Sequence, residues 1–267
     1  MIARYLRLWL ALARFSLLRE LAFRGNFVVK IFVEVLWLGI LLLFYATVFE
    51  KTDLVASWNR SQYLFFVGTY FTIGGIIETL FLENCNQFAE LIRTGDLDFI
   101  LIKPMDEQFL VSCRTIEWST APNALLGLGV MIYALAGLEF PGWDRILLFL
   151  ILLICGVALA YGFLLTLTAM SVWFMRNQSL MEVWWLFGTL MRYPREIFSG
   201  PISSVVGGFF SFVVPATLVT NIPAQVMVNK MLEPWMCVYM VFATVVVLSV
   251  SRRVFRRALM KYRSASS

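Results

Sequence analysis

The chain has 267 residues, of which 60% are apolar, 16% aromatic and 15% charged, with a formal net charge of +5. A soluble domain is about half apolar and about a quarter charged, so a water-soluble fold is excluded. The lack of histidine excludes a Cys/His zinc site and a Ser-His-Asp triad, and no base-reading motif accompanies the basic excess, which argues against a nucleic-acid partner.

Residues 2–24 set arginines among Leu, Trp, Phe and Ala. Arg4, Arg7, Arg14 and Arg24 fall near one another on a helical wheel, opposite Leu6, Trp9, Leu10, Ala13 and Leu17. That pattern predicts an amphipathic interfacial helix within residues 1–26 rather than a cleaved leader. Gly25-Asn26 supplies a break, and a first span follows at about 28–49. A short polar loop around Glu50 to Arg60 leads to a second span at about 61–82, with Gly68, Gly74 and Gly75 as candidate close-packing positions. A third span is expected at 112–138, kinked by Pro122, then a tight turn at Pro141-Gly142 and a fourth span at 145–175. Each span supplies the roughly 20 apolar residues that a bilayer crossing needs. Trp37, Trp58, Trp143, Trp184 and Trp235 fit lipid contacts or interface belts.

Between 178 and 234 one net crossing is required, because the last span at 235–251 must return to a basic tail at 252–267. A fifth span at 178–199 leaves 202–214 and 216–231 as two short apolar helices, separated by Pro215, that dip in from the outer face within a 200–234 re-entrant region. In the alternative, 178–192 lies at the inner interface and 197–222 spans. With the first topology, sixteen of the 22 basic residues fall on the side of the two chain ends. The positive-inside rule then puts both ends in the cytoplasm. The fold class read here is all-α integral membrane, with about six transmembrane helices in a single transmembrane domain.

The longest polar stretch, 83–107, contains Glu90-Leu-Ile-Arg-Thr-Gly-Asp-Leu-Asp-Phe-Ile-Leu-Ile-Lys-Pro104. Arg93 in a last helical turn and Gly95 after it read as a helix C-terminus. Asp96 or Asp98 can cap a second short helix with apolar positions Leu97, Ile100 and Leu101, which Lys103-Pro104 stops. The result is a helical elbow, either a plain interfacial loop or a docking site.

The segment Arg93-x-Gly95-x-Leu97-Asp98-x-x-Leu101-x-Lys103-Pro104 resembles the cytoplasmic loop of type-2 ABC exporter permeases, in the branch that exports drugs and lipids. Tyr193-Pro194-x-x-Ile197-Phe198, Phe212-Val213-Val214-Pro215 and Pro223-Ala224 resemble its fifth-span and re-entrant region. Arg256-Arg257-x-x-x-x-Tyr262-x-Ser264-Ala265 resembles its basic tail. The resemblance implies a permease subunit in a bacterial cytoplasmic membrane, dimeric with a second permease and bearing a separate ATP-binding subunit. That partner would hold ATP and magnesium, and this chain would bind no cofactor and no metal. The absence of a GxxxxGK[ST] phosphate loop agrees. Glu90, Arg93, Gly95, Asp96, Leu97, Asp98, Lys103 and Pro104 are then the expected ATPase-coupling interface. The substrate is expected to be amphipathic or lipid-like.

A charge at the bilayer centre costs about 2.5–3.5 kcal/mol on insertion scales, so charges in spans are candidate functional groups. Glu34, Glu78, Glu117 and Glu182 lie within or near span ends. Lys30–Glu34 and Arg192–Glu196 are spaced as i,i+4 pairs and Arg114–Glu117 as i,i+3. Arg192, Tyr193, Pro194, Arg195 and Glu196 are the expected contributors to a translocation path. The competing readings are a secondary transporter or intramembrane enzyme, which needs a charged cluster at midplane, and a membrane scaffold.

Overall fold

Hydrocarbon offers backbone N–H and C=O groups no partner, so long apolar runs satisfy themselves as helices. A computed structural model describes residues 2–174, 177–198, 208–228 and 234–262, and no strand occurs among them. Five of its helices are long and apolar enough to cross a bilayer: Arg24–Lys51, Arg60–Thr94, Trp118–Leu135, Trp143–Phe174 and Pro234–Lys261. Residues 200–207 and 229–233 of the expected re-entrant region and 263–267 of the tail, Ser264-Ala265 among them, lie outside the described residues.

The amphipathic helix α1, Ile2–Ala22, is separated from α2, Arg24–Lys51, by a single turn residue. The break falls at Phe23 rather than at Gly25-Asn26, which lie in the first turn of α2. The apolar stripe of α1 divides: Ala13 and Ser16 are buried, whereas Leu6 and Leu10 face outward. What docks the helix is polar. Glu20 accepts the backbone N–H groups of Trp118 at 2.8 Å and Ser119 at 2.9 Å, and the Trp118 indole donates to the Ala13 carbonyl at 3.0 Å. The Ser16 hydroxyl accepts from Ile116 N at 3.2 Å. Glu20→Ala is therefore expected to loosen α1 by about 1–2 kcal/mol, as loss of an N-cap does. Hydrogen exchange should rise over α1 and at Trp118–Thr120 together, and unchanged protection would refute this role.

The second crossing outruns its expected end. Helix α3, Arg60–Ile77, starts at a capping box between Asn59 and Gln62 and passes through a π-helical turn at Glu78–Leu82 into α4, Glu83–Thr94. Its 35 residues extend about 52 Å, some 20 Å more than the hydrocarbon is thick. The π turn displaces the Thr79 carbonyl from the regular ladder, and Glu117 N donates to it at 2.9 Å.

After the elbow come α5, Leu97–Leu101, and α6, Glu107–Cys113. Helix α7, Ala121–Leu135, follows a 3-10 turn at Trp118–Thr120. The third crossing thus begins near residue 118 rather than 112. Pro122 opens α7 instead of kinking it, because its missing N–H is no loss in a first turn. Helices α3 and α7 touch backbone to backbone, and a Cβ at Gly75 would sit 2.3 Å from Ala124 N. Gly74, by contrast, has open space around its Cβ position.

Helix α8, Trp143–Phe174, and α11, Pro234–Lys261, pack along each other, and α11 carries the start of the basic tail as a continuous helix. Between them α9, Asn177–Met191, is 15 residues long, about 22 Å. It touches α4 on the elbow side, and the 3-10 turn that follows, Arg195–Phe198, meets Trp58 and Met236 at the opposite end. Helix α9 is not among the helices long enough to cross, so the described residues show no helix of spanning length where a fifth span is expected at 178–199. A π turn at Phe209–Val213 and Pro215 then lead into α10, Ala216–Met227, all twelve residues of which are buried. Its Ala216 end packs with Ile73 and Leu164 in mid-bundle, and its Met227 end packs with Trp58 and Phe66. The helix therefore dips inward without crossing.

Candidate functional site

The elbow is built by two short helices meeting at a residue with φ of +80°, Gly95, the left-handed cap of α4. Arg93 in the last turn of α4 donates from Nε to Glu90 Oε2 at 2.8 Å, and both are exposed. Asp96 sits at the N-cap position of α5 but makes no capping bond; the Thr94 hydroxyl is 2.8 Å from its Oδ2 instead. Leu97 and Ile100 are buried, as the sequence pattern predicts, with Leu101 half-buried. The opposite side of α5 carries Phe99, 69% exposed, and Ile102, 78% exposed. Lys103 and Pro104 are exposed beside them, and Asp98 is half-buried. The elbow thus presents an apolar tip, Phe99 and Ile102, with charged residues beside it.

Behind the tip, Phe88, Leu91, Leu97 and Ile100 share one core with Leu165 and Ala169 of α8 and Phe255 and Ala258 of α11. A polar joint reinforces that core. Asp106 caps α6 by accepting from Phe109 N at 3.0 Å, its own N–H donates to the Tyr5 hydroxyl of α1 at 3.1 Å, and its carboxylate pairs with Arg252. Arg252 also donates to Gln108, and Gln108 donates to Tyr161 of α8 at 2.9 Å. Asp106, Gln108 and Arg252 therefore tie four elements, α1, α6, α8 and α11, together.

The Arg252 hydrogen bond holds the Asp106 carboxyl below its usual range, against the opposing effect of partial burial. A lowered folded-state value means the stabilisation is complete above the ordinary carboxylate pKa and disappears as pH falls through the folded one. Asp106→Asn is expected to lower stability at pH 7 by about 1 kcal/mol, because the pair is about one-third exposed. The gap from the parent protein should hold from pH 8 to 5 and close only below about pH 4. Thermal unfolding in detergent across that range checks it.

The charged groups expected to pair locally pair across the fold. Lys30 bonds Glu117 at 2.6 Å rather than Glu34, and Arg114 donates to Gln87 at 2.5 Å rather than pairing with Glu117. Glu34 and Glu78 instead converge on Asn123, whose Nδ2 donates to them at 2.9 and 3.1 Å. These three, with Tyr70, Gly74 and Arg192, line a 260 Å³ cavity between α2, α3, α7 and α9. Glu182 is exposed on α9.

Of the residues expected on a translocation path, Arg192 reaches that cavity. The others are stitched to α10. Asn221 Oδ1 accepts from Arg195 N at 2.9 Å and its Nδ2 donates to the Tyr193 carbonyl at 3.3 Å, beside buried Pro194. Glu196 accepts from the Trp58 indole at 3.1 Å and from Gln225 at 2.8 Å rather than pairing with Arg192, because the helix has already ended at Met191. Trp58 is fully buried and Trp184 nearly so, and neither serves in an interface belt. Asn123, Asn221, Gln225 and Asp106 escaped the sequence reading. For the three amides the available signal was an uncharged polar side chain inside an apolar run, which cross-links helices in membranes; for Asp106 it was its position three residues before Phe109 at a helix start.

A family model described as ABC-2 family transporter protein matches residues 35–266. No curated protein matches the chain. The family match takes in the elbow, the cavity apart from Glu34, α10 and every crossing beyond the first turns of α2, so the chain belongs to the ABC-2 transporter family: it is a transporter permease rather than a catalytic subunit, and membership implies an ABC ATPase partner.

Proposed function

We propose that this protein is the permease subunit of an ATP-driven exporter in a bacterial cytoplasmic membrane, with the elbow and both termini in the cytoplasm. The observation that carries the reading is the tip of α5, where Phe99 and Ile102 stand exposed while Leu97 and Ile100 on the other side are buried with α8 and α11. Such a helix has one side for the permease and one for a partner. Glu90, Arg93, Asp96, Asp98 and Lys103 supply charges for pairing at the rim, and Gly95 and Pro104 fix the two ends of α5. The partner is a separate ATPase that holds ATP and magnesium, and a second permease, identical or related, completes a dimer. Its cargo is amphipathic or lipid-like.

Closure of the ATPase would push on α4 and α5. The shared core and the Asp106–Arg252 joint would pass that displacement to α8, α11 and α1, repacking the crossings between inward-open and outward-open states. The test is purification from native membranes in mild detergent. An ATPase should co-purify, and Arg93→Glu combined with Asp98→Lys should abolish the bound hydrolysis activity. A stable preparation of this chain that retains no ATPase overturns the proposal. The carboxylates of Glu34 and Glu78 favour a second reading, an ion-coupled transporter, which proton-driven uptake by the chain alone in liposomes would establish in its place.

A further inference from the structure

The cavity bordered by Glu34, Glu78, Asn123 and Arg192 has an unusual balance of hydrogen-bonding groups. Asn123 is 5% exposed, and its Nδ2 is committed to the two carboxylates. Its Oδ1 is buried with no partner among the described residues. That orientation of the amide follows from its neighbours, because a carboxylate accepts and cannot favour a facing carbonyl oxygen. Two carboxylates, those of Glu34 and Glu78, therefore share one neutral amide at the cavity wall. Each carboxylate has room for more than the one bond the amide gives it, so this wall suits a donor.

A primary ammonium has several N–H donors and a positive charge, which suits a pair of acidic acceptors. At the α9 side of the same cavity the imbalance is reversed. Arg192 borders it there, and a guanidinium suits an anionic oxygen. The volume, 260 Å³, is just under the range of about 300–1,000 Å³ for whole small molecules. It suits a head group. Trp37 and Trp185 border the cavity and are each more than half exposed, offering apolar surface along which a tail can leave toward the bilayer.

We propose that this cavity binds the head group of a zwitterionic amphiphile, with a primary ammonium on Glu34 and Glu78 and an anionic oxygen on Arg192. The assignment rests on the exporter reading only in treating that amphiphile as cargo. It names a substrate class: single-tailed or double-tailed amphiphiles whose head group carries both a free amine and a phosphate or carboxylate.

The probe is radiolabelled lysophosphatidylethanolamine, bound at equilibrium to the purified permease in detergent without ATPase or nucleotide. Lysophosphatidylcholine, in which methyl groups replace the three N–H donors, and lysophosphatidylglycerol, which has no ammonium, should each compete at least tenfold less well. Combined Glu34→Gln and Glu78→Gln should weaken the probe at least tenfold and erase its preference over lysophosphatidylglycerol. Arg192→Gln should weaken the probe while leaving dodecylamine binding unchanged. Gly74 lines the cavity and has open space at its Cβ position, so Gly74→Leu should fill the site and abolish binding. Equal binding of the three lysolipids, or probe binding unaltered in the double carboxylate variant, overturns the assignment. If Gly74→Leu does not fold, the carboxamide pair, which preserves shape, decides alone. Failure of this head-group preference leaves ATPase co-purification intact, and failure of co-purification leaves the preference intact, so the two proposals fall separately.

Discussion

Replacing Phe99 and Ile102 together by glutamate is expected to release the ATPase subunit, with retention in a pull-down falling at least about 100-fold. Each of these side chains contributes about 1.5–3 kcal/mol when it goes from exposed to buried. Apolar anchors at the centre of an interface dominate its energy. Two lost anchors are worth about 3–6 kcal/mol, and every 1.4 kcal/mol is a factor of about ten. In the permease itself both positions face outward, at 69% and 78% exposure. The variant should therefore match its parent in thermal stability within about 0.5 kcal/mol. Retention of the ATPase at parental levels by a well-folded variant would remove the elbow from the coupling interface.

The second large effect falls between two adjacent glycines. Gly75→Leu is expected to prevent accumulation of folded permease, because even a Cβ there would lie 2.3 Å from Ala124 N and 2.9 Å from Ala124 Cα. Backbone cannot swing aside as a side-chain tip can, so α3 and α7 would have to part along their whole contact. Overpacking within a well-packed core costs about 1–3 kcal/mol when side chains can shift. Forced separation of two helices exceeds that range. Gly74→Ala, one residue away, meets nothing within 4 Å and should be neutral or slightly stabilising, since alanine favours a helix by about 1 kcal/mol over glycine. Size-exclusion profiles of the two variants check the contrast, and a monodisperse Gly75→Leu protein would contradict it.

The long crossings were legible because hydrophobic length is a local property, read one segment at a time. The elbow was legible for a similar reason: Arg93, Gly95 and Pro104 each mark a helix end by backbone chemistry confined to a few residues. The failures have their own physical causes. Lys30 and Arg114 have sequence neighbours at helical spacing that could pair with them, but tertiary partners, Glu117 and Gln87, took precedence, and Arg192 lost its helical spacing to Glu196 because the helix ends at Met191. Trp58 looked like an interface tryptophan by its place at a span end, yet the loop folds it into the bundle onto Glu196. Pro122 signalled a kink only under the assumption that the helix had already begun. The cavity could not be seen at all, because Glu34, Glu78, Asn123 and Arg192 come from four segments and no spacing rule links them.

The docking of α1 has a consequence for how the protein is made. Its bonds to the chain at Ile116, Trp118 and Ser119 join residues 98 to 105 positions apart. A ribosome adding about 5–20 residues each second needs roughly 5–20 seconds to deliver that partner segment. During this interval α1 has been synthesised but has nothing to grip. Its outward Leu6, Leu10, Phe15 and Leu18 give it a resting place on the lipid surface, where it can wait beside the growing bundle until the third crossing threads in and Glu20 finds two free amides.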